Sequence, residues 1–559
     1  MNMTSGGRHQ ERLPAIGTFV RPATGLVRGM GGTQALIYNT MITTLLLGAA
    51  LTYLWAPYAF PGCNVALGIV CTGVFGATMM TAYSMLAATM PRSGGDYVFQ
   101  SRILHPAVAF AAVGSGFMIW LMFWQALGGW MVAVMGISPL MLMLGATLGS
   151  PVLENLGRWA ATPHGVVVVS LLSFCVSAAV CAVGVRAYLR LQKWLLAGIM
   201  LTFALVWALL LTTPQAEFAA RFNAFMAGFS PAADYYQHVI SAAREAGFAA
   251  APVAGGAGFG GINWGATFGV MPIAWTALAW TMWSIMNAGE IKNAGRLRLQ
   301  LLQTLGALAL NTGLLAVTAV LLAHSMGADF LAAMGQLYYS GSEALAEFPV
   351  PPYFGVLASI AAGHPALIFF ILLGFVLNGV QILIGMCLGG SRVMMAMSFD
   401  RVLPDALADV SPRLRTPLNA ILAYHAGAVA WVLLYNYTAV GAFTLSVTLA
   451  SMVTYMFTSL AAALLPFRER EMYLASPVGR LRILGVPAIT VFGIASLLFN
   501  LAITYYFLTA DRLFVNDVRS EALIGAIFVL CLVYYFARRA YLKRRGINID
   551  LAFAQIPPE

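Results

Sequence analysis

The amide side chains within long apolar stretches of this 559-residue chain include Asn39, Gln125, Asn378 and Gln381. An amide carries hydrogen-bond donors and acceptors that need partners in apolar surroundings. Hydrogen bonds to neighbouring helices would meet that need, and so would a polar solute or a water-filled path. Both interpretations stay open, and Asn39, Asn378 and Gln381 are candidate solute-binding residues.

Residues for covalent catalysis are poorly represented. Ser115, between two glycines, could be a nucleophile, but it needs a base within reach, and small residues serve helix packing more often. His425 suits a proton relay, although a lone histidine is more often structural. The sequence contains no HExxH motif and no paired carboxylates within its apolar stretches. We expect no enzyme activity, no metal and no cofactor.

The composition excludes an ordinary soluble domain. Hydrophobic residues make up 60% of the chain, charged residues only 9%, and the mean hydropathy is +0.82. This indicates a polytopic membrane protein. The apolar stretches are long and lack the alternation of barrel strands, so an all-α protein is predicted. The six cysteines form no CxxC pair and are expected to be free thiols.

Twelve apolar stretches are long enough to cross a bilayer as helices. They lie near residues 33–57, 64–90, 106–136, 165–187, 191–212, 266–289, 299–324, 366–390, 417–437, 440–466, 485–508 and 522–541. A second short helix could follow Gly136 in the third stretch.

The basic residues predict the orientation. With both termini inside, the outer segments hold only five of the 30 lysines and arginines: Arg158, Arg221, Arg244, Arg512 and Arg519. This positive-inside bias places both termini in the cytoplasm and the protein in the cytoplasmic membrane. Anionic membrane lipid accounts for the net charge of +10, so we expect lipid contacts and no nucleic-acid partner.

Three motifs occur at inner ends of predicted spans. They are "PRSGGDY" (Pro91–Tyr97) after the second span, "GEIKNAGRLRL" (Gly289–Leu299) after the sixth, and "SRVMMAMSFDRVLPDALADVSPRLRTPLNA" (Ser391–Ala420) after the eighth. The first resembles the P-x-S-G-G-x-Y run of the amino acid-polyamine-organocation transporter superfamily. The other two are similar to its E-[VI]-K-N-P-x-R run and to its loop after the eighth span.

The resemblance runs from about residue 25 to residue 541 and implies a LeuT-type fold. In that fold spans 1–5 and 6–10 are inverted repeats, followed by two further helices, and helices 1 and 6 are interrupted near the midplane. The expected division is an N-terminal tail 1–30, spans 1–5 in 31–212, an extracellular loop 213–264, spans 6–10 in 265–466, spans 11–12 in 467–542 and a C-terminal tail 543–559.

The first span departs from the family pattern. Members usually carry a G-[ST]-G triplet there, whereas Ile42, Thr43 and Thr44 take those positions here. Without glycine a helix is costlier to unwind, although a threonine hydroxyl can replace a lost backbone bond. The sequence leaves open whether this helix is broken, and Thr43 and Thr44 are candidate solute-binding residues.

Aromatic residues mark two further candidate positions. In the sixth span Trp280, Thr281 and Trp283 lie at the break that the resemblance implies, where indoles beside a hydroxyl suit a solute with an apolar portion. They could equally be packing or interface residues. In the third span Trp124 shares a helix face with Phe117 and Trp120, as a core stripe or a pocket wall.

The inner end of the sixth span is expected to act as a gate or a structural ion pair. Glu290 would pair with Lys292, Arg296 or another inner-loop arginine, locally and in contact with water.

Two outer segments are also predicted. The Ala/Gly-rich stretch "AGFAAAPVAGGAGFGG" within residues 215–264 is predicted to be a flexible connection. Asp329–Tyr339 is predicted to form a short amphipathic helix.

The leading functional prediction is a secondary transporter that moves a small neutral or zwitterionic solute, foremost an amino acid, by alternating access. No charged residue is expected deep within a core span, which disfavours a dication such as a polyamine. An amine or a nucleobase as cargo, or a solute sensor without transport, are the alternatives. Coupling to a proton, to sodium or to exchange stays open.

Overall fold

The computed structural model describes residues 28–248, 261–439 and 446–553. Within these ranges eleven helices are long and apolar enough to cross a membrane, which confirms an all-α polytopic membrane protein. They correspond to the second to twelfth predicted spans, whose numbers we keep. They are span 2 Val65–Thr89, span 3 Pro106–Leu148, span 4 Pro163–Val183, span 5 Val185–Thr212, span 6 Trp264–Met286, span 7 Leu297–Met326, span 8 Pro365–Phe399, span 9 Leu418–Tyr437, span 10 Ser446–Arg468, span 11 Ala488–Thr509 and span 12 Val518–Arg544.

The first predicted span consists of two short helices, span 1a (Gly32–Ile42) and span 1b (Leu47–Ala59). Thr43 has an extended backbone between them, with φ −67° and ψ 141°. Each piece is shorter than a bilayer requires, so the total of twelve spans stays a prediction. The structure resolves the open question of the first helix: it is broken, at the threonines.

Spans 3 and 6 contain irregular helix. Span 3 has π-helical turns at Ser115–Ile119 and Met131–Ile137, and its helix continues past Gly136 to Leu148 without a separate second helix. Span 6 is α-helical only to Leu278 and then winds as a 3₁₀ helix over Ala279–Met286. Such local changes of winding are frequent at functional sites.

Several spans begin at residues that satisfy the free amides of a helix start. The Asn64 side chain accepts from the amide of Leu67 (3.0 Å), and Thr162 accepts from the amide of Gly165 (3.1 Å). Proline follows the cap of span 4, where its missing N–H costs nothing.

Shorter elements connect the spans. The α-helices are Asp96–Ile103, Pro151–Ala160, Gln215–Met226, Tyr235–Glu245, Ala328–Tyr339, Phe354–Ala362, Arg470–Ala475 and Asp550–Phe553. The 3₁₀ turns are Ala288–Glu290, Glu343–Leu345, Asp405–Ala408 and Asp511–Leu513. Two short antiparallel strands, Arg482–Ile483 and Val486–Pro487, pair with Arg482 opposite Pro487.

The predicted outer helix is confirmed as Ala328–Tyr339, and its apolar face packs on span 1b. The segment before span 6 holds two helices that the sequence did not predict, Gln215–Met226 and Tyr235–Glu245. Most of the Ala/Gly-rich stretch, residues 249–260, lies outside the described residues. All six cysteines are free, as expected.

Burial decreases from the centre of the molecule to its edge. In span 6, 89% of an 18-residue apolar stretch is buried inside the protein, whereas in span 12 only 28% of such a stretch is buried. Span 1a packs against span 7 and the 3₁₀ part of span 6, while span 2 packs against spans 6 and 7. The two interrupted spans therefore lie in the interior. The inverted repeat and the residue ranges assigned to it stay predictions.

Candidate functional site

The break in span 1 is closed by asparagines from two other spans. Asn378 of span 8 accepts at Oδ1 from the backbone amide of Leu46 (3.1 Å), at the start of span 1b. Asn311 of span 7 donates from Nδ2 to the Thr40 carbonyl (3.2 Å) and to the Thr43 hydroxyl (2.7 Å), at the end of span 1a. Backbone groups freed by the break therefore meet buried side chains instead of lipid.

Asn39 joins span 1a to spans 6 and 7. Its Nδ2 donates to the Gln303 carbonyl (2.9 Å), and its Oδ1 accepts from the Ser284 amide (2.7 Å) in the 3₁₀ segment. Asn39 is fully buried, so both ends of its amide are used inside the protein. In this conformation Asn39 positions the broken helix.

An aromatic cluster of Phe117, Trp124, Trp280, Trp283 and Tyr455 lies among spans 3, 6 and 10. The ring centroids of Trp280 lie 5.7 Å from Trp124 and 5.5 Å from Trp283, with both pairs edge to face. Phe117 lies 5.2 Å from Trp283 and 5.5 Å from Tyr455. Three tryptophans that the sequence marks as candidates are thus brought together in one buried cluster.

The cluster joins spans 6 and 8. The Trp283 indole donates from Nε1 to the Gly385 carbonyl (3.1 Å), and the Tyr38 hydroxyl donates to the same oxygen (2.6 Å). A β-carbon at Gly389 would overlap the Trp283 ring, so glycine is needed for this close approach.

The remaining candidates occupy separate positions. The Thr281 hydroxyl bonds to the Leu278 carbonyl (3.0 Å) and lies 3.1 Å from the Met80 sulfur, so it packs against span 2. Gln381 donates from Nε2 to the Tyr188 hydroxyl (2.6 Å) of span 5.

Thr44 lies in the break itself. It is buried, and its carbonyl accepts from the Gly48 amide (2.6 Å). Thr44 therefore lies next to the backbone groups that the break leaves without helical hydrogen bonds, and it stays a candidate solute-binding residue.

Several buried polar atoms on these residues have no hydrogen-bond partner within the described part of the chain. Such atoms are rare in folded proteins and mark places where water or a ligand binds. Around the break and the aromatic cluster they are Thr40 Oγ1, Trp124 Nε1, Ser284 Oγ, Asn287 Oδ1, Asn311 Oδ1, Asn378 Nδ2 and Gln381 Oε1.

The ion pair at the inner end of span 6 uses another of the arginines predicted to lie at the inner side, but it is neither local nor exposed. Glu290 pairs with Arg392 of span 8, with Nε to Oε1 at 2.7 Å and both side chains buried. Lys292 and Arg296 are exposed instead. The pair is long-range and buried, because span 8 continues as helix to Phe399 and carries Arg392 into the interior. Arg392 therefore lies within span 8 as the structure bounds it, in the last two turns of that helix.

The three sequence motifs meet beside this pair. The Gly94 amide of the first motif donates to the Met286 carbonyl (3.0 Å), and Ser93 and Asn287 form an isolated antiparallel bridge. Gly94 has φ +99°, and a β-carbon there would overlap that of Ala396 in the third motif. Residues distant in sequence thus form one contact, which we call the inner gate after the position and the role that the sequence predicts for it.

The segment before span 1a also reaches the inner gate. The Met30 amide donates to the Glu290 carbonyl (3.0 Å), and the Lys292 amide donates to the Met30 carbonyl (2.9 Å). A pocket of about 360 Å³ opens there, lined by Glu290 and by the exposed Arg186, Arg413 and Arg415, among others.

Ser115 and His425 have local partners. The Ser115 hydroxyl donates to the Ala111 carbonyl (2.7 Å), one turn earlier in span 3. His425 Nδ1 lies 2.9 Å from the Ile421 carbonyl, one turn earlier in span 9. These contacts favour structural roles over a nucleophile or a proton relay.

Many apolar spans surround a broken helix with buried polar and aromatic residues. This arrangement is that of a polytopic transport protein of the membrane. The chain matches the amino acid permease family over residues 31–539 and belongs to that family. The family supports a transporter of amino acid-like solutes rather than an enzyme. No curated protein matches the sequence.

The sequence did not single out three residues of this site: Asn311, Arg392 and Tyr455. Asn311 is a polar residue within an apolar stretch, so the criterion that selected Asn39 could have found it. Arg392 appeared to lie in a loop. The contacts of Tyr455 depend on packing between distant spans, which a local pattern does not contain.

Proposed function

We propose that this protein is a secondary transporter that carries a neutral or zwitterionic amino acid with an apolar side chain across the cytoplasmic membrane by alternating access. The observation that carries the proposal is the break in span 1. Its freed backbone groups are buried and lie beside polar atoms without partners.

The start of span 1b suits a carboxylate. Its first amides, those of Leu46 and Leu47, point at Asn378 Oδ1, at distances of 3.1 and 3.5 Å. A helix N-terminus attracts negative charge, and a solute carboxylate could take the place of the neutral amide oxygen. The threonines at positions 43 and 44 would then stand where the family has glycine.

The aromatic cluster suits the apolar side chain of the solute. Trp280 and Trp124 present ring faces and edges in a buried setting, and the free Trp124 Nε1 can donate a hydrogen bond. Thr281 plays no direct part in this proposal because its hydroxyl is occupied by Leu278 and Met80.

Leucine is the first probe, in proteoliposomes that contain the purified protein. Preloaded unlabelled leucine should drive uptake of radiolabelled leucine, which a sensor without transport activity would not do. Uptake or binding only with an amine or adenine would reassign the cargo, and silence with all three would refute the proposal.

The Trp280→Ala variant tests the site. Loss of this side chain should weaken leucine binding roughly tenfold or more, since burial of a large apolar group contributes about 1.5–3 kcal/mol. The matched control is Trp159→Ala in the short helix Pro151–Ala160, between spans 3 and 4, where Trp159 is 41% exposed. Equal affinities for both variants, measured by isothermal calorimetry on monodisperse protein, would remove Trp280 from the site.

A further inference from the structure

Asp96 is a buried carboxyl that the transport site described so far does not use. It opens the short helix Asp96–Ile103, between spans 2 and 3, and is fully buried. Its Oδ1 accepts hydrogen bonds from the Tyr83 hydroxyl of span 2 (2.5 Å) and from the Thr458 hydroxyl of span 10. Its Oδ2 has no hydrogen-bond partner among the residues that the structure describes.

Asp96 differs from the other buried carboxyls of the described ranges. Glu290 is paired with Arg392 and Asp400 with Arg102, each at 2.6 or 2.7 Å. No such cation lies against Asp96 in the part of the chain that the structure describes. A buried carboxylate without a counter-charge is unstable, and a proton is the simplest way to neutralise it.

The pKa of Asp96 follows from this setting. Burial raises it from 3.8 to about 7, and the hydrogen bonds from Thr458 and Tyr83 oppose the rise only in part. Both protonation states are therefore accessible near neutral pH.

The charged and titratable groups on the packed elements do not neutralise Asp96. On spans 2 and 10 they are Tyr83, Tyr455 and Arg468, of which Arg468 donates to the Ile103 and Leu104 carbonyls instead. Around the helix itself they are the half-buried Arg92, the ion-paired Arg102 and the exposed His105. On spans 6 and 8 they are Glu290, Arg392 and Asp400, all in ion pairs.

Asp96 lies between the inner gate and the aromatic cluster. The preceding Gly95 has φ +41°, and a β-carbon there would come within 2.6 Å of the Met286 sulfur. Tyr83 meets Tyr455 edge to face at 6.3 Å, and Tyr455 lies 6.3 Å from Trp280. A change of charge at Asp96 thus acts on spans 2, 6 and 10 together.

We propose that Asp96 is a proton-binding site that couples solute movement to a proton, with the proton carried on Oδ2. The inference rests on the proposed transport function. Oδ2 takes up one proton from water on one side of the membrane, which forms an O–H bond, and releases it to water on the other side, which breaks that bond; no other covalent bond changes. Protonation removes the buried negative charge, while Tyr83 and Thr458 keep Oδ1 in place.

Infrared difference spectroscopy tests protonation without any solute. Between about pH 5 and 9, the wild-type protein should lose a protonated-carboxyl band with a midpoint near neutral pH, and Asp96→Asn should lack that band. The matched control is Asp405→Asn, because Asp405 is an exposed carboxyl in the inner loop. Identical titrations of wild type and Asp96→Asn would overturn the proposal.

Proteoliposomes test the coupling. An inward acid gradient should drive accumulation of radiolabelled leucine by the wild type and by Asp405→Asn, and this accumulation should be lost in Asp96→Asn. Wild-type leucine exchange that ignores the gradient would overturn the proton proposal alone. Absence of any wild-type exchange would overturn the transport function, while the infrared titration would still decide the protonation of Asp96.

A second variant keeps the test decisive if Asp96→Asn does not fold. Thr458→Val removes one hydrogen bond that stabilises the carboxylate, so it should raise the infrared midpoint. The pH at which leucine accumulation is half-maximal should rise with it. Unchanged midpoints would overturn the proposal.

Discussion

Two threonines stand at the break of span 1, where the family resemblance implies glycine. Thr43 has φ −67° and ψ 141°, a region that a β-branched residue adopts without strain, so the break does not require glycine. What it requires is partners for the freed backbone groups. Asn311 and Asn378 provide them from 268 and 332 residues away in the sequence.

At the residue scale, the charge state of Asp96 predicts a pH-dependent stability. Its pKa is raised from 3.8 to about 7, so the folded protein binds more protons than the unfolded chain within that window. Stability should therefore fall as pH rises through the window, by roughly 1.4 kcal/mol per unit of pKa difference. Asp96→Asn should lack this contribution.

Melting temperatures of both proteins in detergent, from about pH 5 to 8, check this prediction. The melting temperature of Asp96→Asn minus that of the wild type should increase with pH. Titrating groups that both proteins share contribute equally to the two melting temperatures and so drop out of the difference. A constant difference between them would contradict a titrating Asp96.

At the element scale, the inner gate depends on close packing of three motifs. Gly94→Ala should destabilise it because the residue has φ +99° and its new methyl group would overlap Ala396. Gly149→Ala is the matched control, since Gly149 also has positive φ, +64°, but no heavy atom within 4 Å of the added carbon. Both variants pay for backbone strain of about 1 kcal/mol, and only Gly94→Ala adds the clash.

Thermal unfolding and leucine exchange distinguish the two glycine variants. Gly94→Ala should lower the melting temperature further than Gly149→Ala and should slow exchange, because span 8 can no longer close against the first motif. Equal effects of the two variants would mean that the contact with Ala396 is not needed.

The Glu290–Arg392 pair is the other element-scale contact, since it joins span 6 to span 8. Glu290→Gln leaves the Arg392 charge buried without a counter-charge and should lower the free energy of unfolding by about 3–5 kcal/mol. The control Glu154→Gln breaks the more exposed pair with Arg158, at 3.9 Å, and should lower it by less than about 1 kcal/mol. A double-variant cycle with Arg392→Gln isolates the interaction. A coupling free energy near zero would contradict a buried pair.

The sequence predicts the spans well and the contacts between them poorly, for a physical reason. Hydropathy is a local property, so spans 2–12 could be located from it. The break at Thr43 depends on Asn378, and the partner of Glu290 lies 102 residues away, so neither follows from a local pattern. The motifs indicated where the inner gate lies but not that Gly94 meets Ala396.

At the scale of the whole molecule, burial and charge give one consistent picture. Span 6 is enclosed and spans 11 and 12 are more exposed, and the sequence predicts that the basic residues gather at one face. That face also carries the inner gate and the pocket lined by Glu290 and the three arginines. The positive-inside rule then predicts that the gate faces the cytoplasm.

Cysteine labelling of intact cells checks this orientation, after serine has replaced the six native cysteines. Gln237→Cys and Ala406→Cys introduce exposed thiols in the predicted outer and inner segments. An impermeant maleimide should label Gln237→Cys at once and Ala406→Cys only after permeabilisation. The reverse pattern would place the inner gate outside. With the expected pattern, opening of the gate exposes Asp96 to the cytoplasm, where it would release its proton under an inward acid gradient, so the labelling result also tests the direction in which a proton gradient can drive the solute.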